Sequence, residues 1–158
     1  MSLLQDIFGW LLALLLLALP GVIAAILWAP FLVSRRVRSL FVTLPPRGSL
    51  ISTYVGVILL ASLPYVLGLL AVIAIVPSEE AALSNAILTL VQYLGVAYVF
   101  LVPTAAVFGL PRIGITWDPS GSRVTSWLLL ALGGFWYSLT FAVPMFLLAV
   151  LLVLPGGY

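Results

Sequence analysis

Any chemistry in this chain must come from a short supply of side chains. There are six arginines, six tyrosines and four acids, and no cysteine, histidine or lysine. Without thiolate or imidazole there is no disulfide, no soft-metal or haem ligand of that kind and no histidine acid–base pair, and without lysine there is no Schiff base. The acids are Asp6, Glu79, Glu80 and Asp118, and only the middle two are neighbours. The run Pro77-Ser78-Glu79-Glu80 reads as a helix start with Ser78 as N-cap and the acids favouring the helix dipole. No nucleophile elbow, phosphate loop or zinc-protease signature is present. The expectation is a non-enzyme with no catalytic residue, no cofactor and no metal.

What remains is polar contact. Tyr65, Gln92, Tyr98 and Tyr137 fall inside apolar stretches and form a possible intramembrane polar site. Gln92 beside a tyrosine suits a quinone carbonyl or a lipid headgroup, and equally an interhelical hydrogen bond of about 0.6 kcal/mol. All six arginines fall into two groups, Arg35, Arg36, Arg38 and Arg47, then Arg112 and Arg123. Such bases draw anionic headgroups at about 1 kcal/mol each, or meet a protein partner. Six arginines make too small a basic surface for nucleic acid.

These groups sit on elements set by composition. The chain has 158 residues, 65% of them hydrophobic and 6% charged, with a mean hydropathy of +1.35. About a quarter of a soluble domain is charged, so a single membrane domain over 1–158 is expected. Four stretches reach the roughly 20 apolar residues that a spanning helix needs, at about 3–33, 50–76, 83–110 and 124–154. The fold class is therefore all-α, a polytopic four-helix bundle of two hairpins. The leader Met1–Asp6 carries an acid and no base, and the apolar run after it is too long for a signal peptide.

Orientation follows from the arginines, which mark cytoplasmic loops. Loops 34–49 and 111–123 hold all six, whereas the 77–82 loop holds none. Both termini and the 77–82 loop are thus expected outside, in the cytoplasmic membrane of a prokaryote. Trp28, Phe31, Tyr54, Phe108 and Trp127 suit the inner interface, and Trp10 and Tyr158 the outer one.

Small residues at four-residue spacing mark close helix contacts. Gly21, Ala25 and Ala29 form one such stripe, and Gly134, Ser138 and Ala142 another. They serve either the bundle or a partner. Pro20, Pro64, Pro103 and Pro144 place one proline in each span, where a kink is expected. The two inner loops also echo one another at an offset of 73 residues, with Thr43, Pro46, Gly48 and Ser49 against Thr116, Pro119, Gly121 and Ser122. Ser49 and Ser122 are placed to N-cap the helices that follow, and a parallel hairpin repeat is one explanation. The β-prone runs Phe41–Leu44 and Ile113–Trp117 are candidates for a short ribbon on the cytoplasmic side.

Three functions fit these residues. The first is a non-catalytic membrane subunit that packs against and stabilises a larger complex with other membrane protein subunits and lipids. The second is a small homo-oligomeric pore or carrier for a neutral or hydrophobic solute. The third is a lipid- or quinone-binding membrane partner.

Overall fold

The computed structural model describes residues 18–45, 49–118 and 122–154, and among these every regular element is helical. Helix α1 covers Ala18–Val33 and tightens into a 3-10 turn over Ala29–Val33. Helix α2, Arg35–Thr43, follows at an angle of 118° to α1. Helices α3 (Leu50–Ile75), α4 (Glu80–Arg112) and α5 (Arg123–Val153) are each long and apolar enough to cross a membrane. The bent α1–α2 pair would count as a fourth only if taken as one broken span. Of the expected 3–33 helix, residues 3–17 lie outside the described ones, as do Trp10, Arg47 and Tyr158.

The expected ribbon does not form. Phe41 to Thr43 lie in α2, and the 113–118 segment is a turn followed by extended chain. The reason is spacing. Val37, Leu40 and Phe41 share one helical face and are buried, while Arg35 and Arg38 are exposed. The helix buries one apolar stripe on the bundle and bonds its middle backbone groups within itself, where an isolated two-stranded pair is marginal. Extended Ser34 makes the bend between α1 and α2. The Ser39 hydroxyl then donates to the Trp117 carbonyl at 2.5 Å and ties α2 to the 113–118 segment.

Helix starts differ from expectation in one place. Ser49 caps α3 by accepting from the Ser52 N–H, but α4 starts after Glu79, not Ser78, with no side-chain cap. Ser122 does not cap α5 either; its hydroxyl pairs with that of Thr125 at 2.8 Å. Instead Ser126 donates to the Asp118 carboxylate at 2.6 Å, which places a negative charge near the α5 N-terminus. At the end of α4, Gly114 has φ of 85°. The N–H of Ile115 reaches the Leu110 carbonyl and that of Gly114 reaches Pro111, so the left-handed glycine closes the helix and reverses the chain.

Prolines shape α4 most. Two π-helical segments, Ala97–Leu101 and Ala105–Gly109, each end two residues before a proline, Pro103 and Pro111. A proline ring clashes with the carbonyl four residues back, and a turn wider by one residue moves that carbonyl aside. In this register Val102 bonds Ala97 and Leu110 bonds Ala105. The next carbonyls, Tyr98 and Ala106, would need an N–H from positions 103 and 111, which have none. Both find something else. The Trp117 indole donates to Ala106 at 2.7 Å. The Tyr98 carbonyl lies against α5 at Gly134, where a Cβ would stand 2.3 Å from the oxygen. Only a glycine Cα–H fits there, in a weak C–H···O contact.

Gly134→Ala should therefore force α4 and α5 apart and destabilise the protein by roughly 1–3 kcal/mol. Gly56→Ala, with nothing within 4 Å of its Cβ position, should be neutral or stabilising. Thermal unfolding in one detergent compares them, and equal midpoints would refute the π-turn contact.

Candidate functional site

The bundle is pinned by aromatic donors on main-chain carbonyls of other helices. Trp28 of α1 donates to Gly133 of α5 at 2.8 Å, and Trp136 of α5 returns a bond to Leu27 at 3.0 Å. Tyr54 of α3 donates to Ala25 of α1. Tyr137 of α5 and Tyr98 of α4 reach Ile58, at 3.0 Å, and Ala61 of α3. Ser62 adds a bond to Leu59 at 2.7 Å. These three acceptors surround Leu60, the carbonyl that Pro64 deprives of its N–H, so the proline-disturbed turn of α3 is where α4 and α5 attach.

Of the four expected polar residues, three come together. The Tyr65 and Tyr98 rings are 5.4 Å apart, Tyr98 and Tyr137 stack at 5.4 Å, and Phe141 stacks on Tyr65 at 4.6 Å. The Tyr65 hydroxyl faces Ser138 yet completes no hydrogen bond among the described residues, while Ser138 donates to the Gly134 carbonyl at 2.8 Å. Gln92 is not part of this cluster. It is exposed on the outer side of α4, in a groove against α5.

Beside the tyrosines lies an apolar cavity of about 250 Å³. Trp28 of α1 and Leu40, Phe41 and Leu44 of α2 line it, with Val57, Ile58 and Ala61 of α3. The far wall is Tyr98, Val102, Ala105, Ala106 and Leu110 of α4, with Leu130, Gly134 and Tyr137 of α5. Val102 and Ala105 are exposed and Val57 half-buried, so the cavity opens sideways between α3 and α4. Those two helices are held further along by Tyr98 on Ala61 and by Gly68 packed against Leu90. Every side-chain donor on the wall is already committed: Trp28 to Gly133, Tyr98 to Ala61 and Tyr137 to Ile58. The interior therefore offers shape and apolar surface, and no free side-chain donor.

The small-residue stripes are used mainly inside the chain. A Cβ on Gly21 would fall 2.6 Å from the Ser62 hydroxyl, and one on Gly133 2.9 Å from the Trp28 ring. Ala25 is buried with them, whereas Ala29, in the 3-10 turn, is exposed. Ser138 is buried, and together with half-buried Ala142 it borders the outer α4–α5 groove.

The arginines gather at one end. Arg35 and Arg38 are exposed on α2, and one Arg36 guanidinium nitrogen is buried without an acceptor among the described residues. Arg112 and Arg123, from the end of α4 and the start of α5, line one notch of about 200 Å³ with Val107, Phe108 and Pro111. Trp28 and Trp117 were the side chains hardest to place from sequence. Trp28 was expected at the inner interface and Trp117 in a β-prone run, yet both are buried donors, and only Pro111 hints at the carbonyl that Trp117 serves. Trp127 is half-buried against Leu40, Ala106 and their neighbours, and donates to Thr104 at 3.1 Å.

The class defined by these features is an all-helical protein with three helices long and apolar enough to cross a membrane. Over residues 8–156 the chain matches, and belongs to, the family described as a domain of unknown function, DUF8162. Neither a curated protein nor a solved structure matches it.

Proposed function

We propose that the protein is a non-catalytic, four-span membrane protein that receives a lipid acyl chain, sideways from the bilayer, into the cavity between α3 and α4. The observation that carries this reading is the cavity itself. Its 250 Å³ exceed the 150 Å³ that hold a benzene ring in an engineered protein interior. Left empty and sealed, such a void would cost about 6 kcal/mol; opened between two helices, it is filled by the solvent at hand, which in a bilayer is a hydrocarbon chain. Committed wall donors argue against a quinone, whose carbonyls need hydrogen bonds, and against a polar solute passing through.

The subunit reading ranks second, because Gly21, Gly133 and Gly134 are used against the chain's own helices. Its support is the shortness of the segments outside the helices.

We also propose that the arginine-bearing end faces the cytoplasm, since all five described arginines and α2 share it. The chain has no cysteine, so Ser78→Cys should react with an impermeant maleimide on intact cells, and Arg38→Cys only after permeabilisation. The opposite pattern would invert the topology.

For the cavity, Ala105→Trp places an indole at its mouth, and Leu60→Trp places one on the lipid-facing side of α3, where Leu60 is exposed. Native mass spectrometry of protein released from phospholipid nanodiscs should show retained lipid on wild type and Leu60→Trp, and about tenfold less on Ala105→Trp. Equal retention by all three would refute the lipid reading.

A further inference from the structure

We infer that the outer face of α4 and α5 is where a second copy of this chain docks, with the Gln92 carboxamides of the two copies hydrogen-bonded to one another. The inference is independent of the acyl-chain cavity, which opens on a different side of α4.

The first observation is Gln92. Its side chain is exposed at the rim of a groove of about 360 Å³ lined by apolar side chains and Ser138, and it makes no hydrogen bond among the described residues. It stands about 18 Å along α4 from Glu80 and about 30 Å from Arg112, well inside the apolar stretch. A carboxamide has two donors and an acceptor, and in hydrocarbon none of them has water to bond. A lipid chain on this face would leave all of them unmet, at a cost of a polar group buried without partners.

The second observation is Gly95, one turn along the same face. Nothing lies within 4 Å of its Cβ position. Gly21, Gly133 and Gly134 are each explained by a neighbour inside the chain; Gly95 is not. A glycine with open space before it, beside an unmet carboxamide, permits close backbone approach from outside.

Symmetry selects the occupant. Two copies inserted in the same orientation are related by a two-fold axis along the membrane normal, so a residue on that axis meets itself at equal depth. Glutamine is its own complement: each carboxamide gives one N–H and accepts one. An ionised partner residue at this depth would carry a large desolvation cost. The fit of Gln92 to a second Gln92 needs no other chemistry.

The test uses the full chain in phospholipid nanodiscs or native membranes. Light scattering should report two copies for wild type, with dimer affinity reduced about tenfold in Gln92→Leu and in Gly95→Leu. Because the chain lacks cysteine, Val99→Cys, in the same groove, should cross-link under copper–phenanthroline about tenfold more than Leu60→Cys on α3. Should a leucine variant fail to fold, the cysteine pair still decides. A monomeric wild type, equal cross-linking at both positions, or a stoichiometric complex with a different protein and no cross-linked pair would each overturn the inference.

Discussion

A backbone carbonyl shut away from water has only the protein to bond to, and each proline in a helix deprives one carbonyl of its usual partner. The helices of this chain meet around such carbonyls. Hydroxyls of Tyr137 and Tyr98 settle on Ile58 and Ala61, to either side of the Leu60 carbonyl that Pro64 frees, and the Trp117 indole settles on Ala106, five residues before Pro111. The Tyr98 carbonyl, freed by Pro103, meets the bare Cα of Gly134. Each donor comes from a different helix or from the segment after α4, so the proline-disturbed turns are also where the elements are joined. Removing the apolar drive between helices in lipid leaves this kind of contact as the main source of specificity.

The cavity borders the same stretch of α4. Two π segments flank Val102–Thr104 there, and the large rings at Tyr98 and Tyr137 line the cavity at one level. Below them, small Ala61, Ala105 and Ala106 cannot reach across, and α2 closes the bottom with Leu40, Phe41 and Leu44. A stiff pinned layer next to an under-filled one makes a pocket with a fixed floor and ceiling and a side open between α3 and α4.

Much of this was legible in the residues. Three of the apolar stretches became long helices within a few residues of their expected limits, because length and hydropathy alone decide them. The stripes through Gly21 and Gly134 marked real close contacts. Three tyrosines met because they share a buried face at similar depth. Misreadings have physical causes. Phe41–Leu44 looked β-prone by composition, but Val37, Leu40 and Phe41 together carry a helical period that wins by burial. Gln92 was grouped with the tyrosines by depth, whereas its position around α4 puts it on the opposite face. The cavity itself left no direct trace, since its lining comes from all five helices and no single stretch of sequence shows how they stand to one another.

The most direct test of the account is a high-resolution cryo-EM map of the protein in phospholipid nanodiscs. The account predicts an elongated, unbranched density entering between Val57 and Ala105 and ending against Trp28 and Tyr137. A gap closed by α4 moving onto α3, or one holding ordered water, would contradict it.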